Sequence, residues 1–130
     1  MGYEDIVRSL RVNKFLEVQA NMSLPYQTFT ATGTPTANVG TGIITLNHAS
    51  TPILLTIPAP EDSGQLLIIR DISSSTQEHV ITSASGTTFD GTNNTATFNA
   101  SGEQLILMSV SITEWIIILN SGSVAMSLVA

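Results

Sequence analysis

Cysteine is absent from the 130-residue chain, which removes any disulfide framework and any thiolate metal site. Basic residues are nearly as scarce. Four Lys and Arg stand against ten Asp and Glu, for a formal net charge of −6, and only 11% of residues are charged at all. Binding to nucleic acid needs clustered cations that displace condensed counterions, so no nucleic-acid partner is expected. Long apolar runs are missing too. Ser109, Ser111, Thr113 and Glu114 interrupt the stretch from Leu105 to Leu119, leaving nothing like the roughly 18 residues of a membrane-spanning helix, and no membrane partner is expected. The start, Met-Gly-Tyr-Glu-Asp-Ile, lacks the basic and then apolar pattern of a secretory signal. The expectation is therefore a product made in a cytosol and used there or assembled into a particle, and the Asn-x-Ser/Thr triplets at Asn21, Asn93 and Asn99 are read as chance matches. Aromatic residues make up 5% of the chain.

What fills the chain instead is Thr, Ser, Ile and Leu, a composition that suits strands. Short β-branched segments are predicted at 42–46, 53–57, 65–71, 78–83, 95–98, 104–111 and 114–119, with a last candidate at 124–129. The run from Leu54 to Asp71 reads as a β-hairpin, because Pro58, Pro60, Asp62 and Gly64 supply turn chemistry between two apolar segments. The strand spacing predicts an all-β body, a β-sandwich or jelly-roll-like barrel, over residues 42–130. Residues 23–41, rich in Thr, Gly and Pro, are expected to pack on that body as a linker with at most one edge strand, around Gln27 to Ala31. Residues 1–22 differ from the rest. Arg8, Arg11 and Lys14 are three of the four basic residues, set among Ile6, Val7, Leu10, Phe15 and Leu16. An extended or partly helical N-terminal arm is predicted there, with Glu4 and Asp5 suited to a first helical turn.

The order of the pieces carries a further signal. Ile57-Pro58, Gly64 and Ile69-Arg70-Asp71 are followed by His79-Val80-Ile81, then Ser85-Gly86-Thr87-Thr88-Phe89-Asp90-Gly91, then Gly102 to Leu107, then Thr113-Glu114-Trp115-Ile116. About half the chain, in this order, resembles the small β-domains of phage virion proteins: capsid decoration (cement) proteins, head fibres and tail-fibre tips. The resemblance implies an all-β, usually trimeric virion component.

Within the strands, Leu66 to Ile69, Leu105 to Met108 and Trp115 to Leu119 are apolar at every position, where a half-exposed strand would alternate. Something must cover the second face, either the segment of residues 23–41 or a neighbouring subunit. Leu67, Ile69, Ile106, Met108, Ile116 and Ile118 are accordingly the candidate oligomer interface, with a homotrimer as the leading state, and the apolar C-terminal residues 121–130 are expected to be buried as well.

The residues suited to chemistry are few. His48 and His79 have no second ligand at metal-binding spacing, so satisfied or surface imidazoles are expected and no metal or cofactor is assigned. The carboxylates Glu61, Asp62, Asp71, Glu78, Asp90, Glu103 and Glu114 fall at turns and strand ends, where solvation is easiest. Asp90-Gly91-Thr92-Asn93-Asn94 lacks the alternating acidic ligands of a calcium loop and reads as a turn held by Asx hydrogen bonds. With no Gly-x-Ser-x-Gly and two histidines, no catalytic residue is assigned and an enzyme is not expected. Two functions remain. One is a capsid decoration protein on the virion exterior, whose arm (Ile6, Val7, Arg8, Leu10, Arg11, Lys14, Phe15, Leu16) lies on the major capsid protein. The other is a receptor-binding tip whose loops 72–77 and 86–94 meet a host glycan or protein.

Overall fold

A computed structural model describes residues 23–30, 33–74 and 76–129. The expectations for residues 1–22 lie outside the described residues. Nine strands are described: β1 (Tyr26–Phe29), β2 (Ile43–Leu46), β3 (Leu54–Ile57), β4 (Leu66–Asp71), β5 (His79–Ser83), β6 (Thr95–Phe98), β7 (Gln104–Ser111), β8 (Glu114–Ser121) and β9 (Ala125–Ser127). They form two mixed sheets, a five-stranded one in the order β1-β2-β4-β7-β8 and a four-stranded one in the order β3-β5-β6-β9. The body is all-β, and its two sheets make a sandwich.

The predicted hairpin over Leu54 to Asp71 is not formed. β3 and β4 belong to different sheets: β3 pairs parallel with β5, and β4 pairs parallel with β2. A parallel pair cannot close through a tight turn and needs a crossover. Here the crossovers are strands of the opposite sheet, so from β2 to β5 the chain winds around the core, one sheet at a time. The segment 58–65 is thus a corner between sheets; its prolines and the positive φ of Gly64 turn the chain without closing a ladder. The hairpin proper is β7–β8, where Ser111 opposes Glu114 around Ile112 and Thr113.

Between the sheets lies one apolar core. Ile44, Leu46, Leu67, Ile69, Leu105 and Leu107 enter it from the larger sheet, and Leu55, Ile57, Ile81, Ala96 and Phe98 from the smaller. Phe89 and Trp115 are buried beside them. The segment 23–41 supplies the edge strand β1, which runs parallel to β2. It then bridges to β3 at Gly33–Ile53 and Thr36–Thr56 and buries Ala37 in the core. Its described residues follow the edges of both sheets, pairing with the edge positions of β2 and β3 in place of covering an outer face.

Candidate interaction face

Strand parity divides the candidate interface residues into two sets. Leu66 opposes Met108 and Ile68 opposes Ile106, whereas Leu67 opposes Leu107 and Ile69 opposes Leu105. Side chains alternate along a strand, so Leu67 and Ile69 point into the sandwich, where they are 2% and 0% exposed. They belong to the core and cannot meet a partner from there. Their neighbours Leu66 and Ile68 take the outward places that sequence reasoning gave to Leu67 and Ile69. Every position from 66 to 69 is apolar, so the run itself carries no parity signal.

Ile106, Met108, Ile116 and Ile118 do share the outer face with Leu66 and Ile68. Met108 opposes Ile116, and Ile106 opposes Leu119. Between Ile106 and Leu107 the register shifts, so that β8 contributes the extra residue Ile118 there. A bulge sets two residues of one strand against one of the other, and here both Ile118 and Leu119 are exposed, Ile118 at 54%. Ile43 on β2 opposes Ile68 and continues the apolar surface toward β1. There the surface turns polar: Tyr26, Thr28 and Thr45 hydrogen-bond one another through their hydroxyls at 2.8–3.1 Å. The Tyr26 hydroxyl is held below its usual pKa by its bonds to Thr28 and then Thr45. At the far end Arg70 Nη1 donates to Gln104 Oε1 at 3.1 Å.

The outer face of the smaller sheet is different in kind. Thr56, Thr82 and Thr97 alternate outward there, with Ala125 beyond them and Leu54 and Val80 as the larger apolar members. Threonine is at home in a strand that faces water. The five-stranded sheet carries the more extensive apolar outer surface, with Leu66, Ile68, Ile106, Met108, Ile116 and Ile118.

Ser73, His79 and Asp71 form a fully buried cluster where β2, β4 and β5 meet. His79 Nδ1 accepts the Ile53 N–H at 3.0 Å, which leaves the proton of the neutral ring on Nε2, 2.8 Å from Ser73 Oγ. The Ser73 hydroxyl in turn donates to the Leu46 carbonyl and accepts the His48 N–H. Burial lowers the His79 pKa; the Asp71 carboxylate 3.8 Å from Nε2 opposes that shift, and His48 adds to it. The three residue types are those of a nucleophilic triad, but the wiring is not. A triad needs its carboxylate on the ring nitrogen remote from the serine and its serine open to substrate. Here both lie on the Nε2 side, Nδ1 is taken by the backbone, and no atom of the cluster faces solvent. Its work is structural, tying strand ends of both sheets together.

Asp71 and Glu103, expected at solvated strand ends, are buried. Asp71 Oδ1 accepts the Ser73 N–H at 2.8 Å, while Oδ2 has no hydrogen-bond partner among the described residues. Glu103 Oε2 accepts the N–H groups of Asn99 and Ala100 and so caps the turn into β7. Asp90 fits the Asx-turn expectation: its Oδ1 accepts from the N–H groups of Thr92 and Asn93, and its Oδ2 from Asn93 Nδ2. Burial alone would raise the Asp90 pKa, but these bonds outweigh it and hold the carboxyl below its usual range. Among the described residues no group of three or more His, Asp or Glu is placed to hold a metal ion.

The loops of the receptor-binding alternative do not share a surface. Segment 72–78 joins the end of β4 to the start of β5, and 86–94 joins the end of β5 to the start of β6, beside the β7–β8 hairpin through the Thr88–Glu114 bridge. They sit at opposite ends of the sandwich. The arm residues Ile6, Val7, Arg8, Leu10, Arg11, Lys14, Phe15 and Leu16 fall outside the described residues. The fold and the face together define a small β-sandwich protein with one apolar outer sheet. Comparison with protein-family models and with curated proteins gives no match.

Proposed function

We propose that this chain is a phage virion structural protein, a capsid decoration or cement protein that assembles as a homotrimer in the host cytoplasm and stabilises the shell from outside. The observation that supports it is the five-stranded sheet, apolar on its inner face and on its outer one. A lone 13.8 kDa body gains nothing from a second apolar face, whereas a subunit of an assembly hides it. The arm of residues 1–22 adds contact with the major capsid protein: Ile6, Val7, Leu10, Phe15 and Leu16 fill apolar pockets, and Arg8, Arg11 and Lys14 pair with capsid carboxylates. Linked copies then hold the shell by multivalency, without high affinity at any single arm.

The test is co-sedimentation of the full chain with tailed-phage shells stripped of their outer proteins. Binding that raises the temperature at which the shells open supports cementing. Binding to host cells in place of shells favours the receptor-binding tip, a reading weakened by the separation of loops 72–77 and 86–94.

A further inference from the structure

The outer face of the five-stranded sheet has a partner that its chemistry narrows down. Residues 23–130 carry seven carboxylates, Glu61, Asp62, Asp71, Glu78, Asp90, Glu103 and Glu114, against the single cation Arg70. Such a body repels its own copies almost everywhere. Of the seven only Glu114, the first residue of β8, holds an outward position on β2, β4, β7 and β8, and it stands at the margin of the face; Glu61, Asp62, Asp90 and Glu114 gather around the β7–β8 hairpin end, while Asp71, Glu78 and Glu103 lie at the opposite end. Two copies therefore approach with least repulsion through the face that also has the most apolar surface to hide. A basic partner would be drawn to the acidic ends, and a glycan would find no ring platform, since Tyr26 at the rim is the only aromatic residue facing outward from the strands of this sheet.

Size agrees with charge. Four strands at about 4.8 Å spacing and about six residues at 3.3 Å each give a plan area of roughly 400 Å². Side-chain relief and the exposed rim residues Val110 and Ile112 enlarge it toward the about 800 Å² that each partner gives to a standard interface. We infer that this face, centred on Ile106, Met108 and Ile116 and flanked by Ile68 and Ile118, is the contact between copies of this chain. The inference rests on the assembly part of the proposed function and names the surface that makes it.

Sedimentation of the full chain, run together with hydrogen-peroxide oxidation of its methionines, tests this. The wild type is expected to sediment as an oligomer in which Met108, 36% exposed in a single copy, is protected. Met108→Glu and Ile116→Glu are each expected to give a folded monomer by circular dichroism, and in Ile116→Glu Met108 should oxidise at least tenfold faster. Val39→Glu, a charge at an exposed apolar residue away from the sheet, is expected to leave the oligomer intact. A monomeric wild type overturns the inference, as does an oligomer that survives both sheet substitutions. Protection of Met108 in a monomeric chain also overturns it and assigns the face to the chain's own residues 1–22. An intact oligomer that ignores phage shells leaves this contact standing and removes only the decoration role.

Discussion

His79 shows how one side chain reports on two sheets. Its ring accepts from Ile53 and, as the neutral tautomer, donates to Ser73, so protonating Nδ1 would set a donor against a donor. Its folded pKa lies below the ordinary value of about 6.5. A depressed pKa contributes stability that is fully present above the unfolded value and is lost as pH falls through the folded one. The thermal midpoint is therefore expected to fall as pH drops from about 7 to about 5, with a shallower slope in His79→Leu. That variant should also lose about 1–3 kcal/mol at neutral pH, in urea titrations, because the Ile53 N–H is left buried without an acceptor. Trp115 is the second residue of this kind. It is buried in the core, and Trp115→Ala is expected to cost about 3–5 kcal/mol by the same measurement. Asp71 was not legible. A charged residue closing an apolar strand reads as solvated, and only the return of the chain through Ser73 to His79 encloses it.

At the scale of elements, parity is the decisive property. Ile69→Ala should cost about 2–5 kcal/mol of subunit stability, whereas Ile68→Ala, one residue away, should cost a subunit far less and act on assembly instead. Denaturant melts read beside sedimentation separate the two effects. The turns make a second case. Gly122 has φ +89°, and a Cβ there would stand 2.8 Å from Glu103 Cγ, the side chain that caps residues 99–100. Gly122→Ala is expected to lose about 1–2 kcal/mol from the left-handed backbone alone, with faster amide exchange at Asn99 and Ala100. Most strand positions were legible from β-branched runs between turn residues. Their pairing was not. The Leu54–Asp71 segment has the composition of a hairpin, and its ends separate into two sheets because β2 and β5 offer each strand a better-placed neighbour.

For the whole molecule, the contrast between sheet faces sets the expectations. A body whose smaller sheet shows mostly threonine to water, beside Leu54 and Val80, and whose larger sheet shows isoleucine, leucine and methionine is built to be covered on one side. The apolar C-terminal residues, expected to be buried, divide: Val124 enters the core, whereas Leu128 and Val129 are exposed on the single chain. Composition and strand spacing alone determined the all-β class, the position of most strands, the Asx turn at Asp90 and the existence of excess apolar surface. These are local properties, fixed by side-chain shape and backbone preference within a few residues. Which apolar residues face inward, which strands are neighbours, and the enclosure of Asp71, Ser73 and His79 were decided only by the tertiary structure. They depend on contacts between distant segments, and in a run of uniformly apolar residues the sequence offers no difference by which one face could be told from the other.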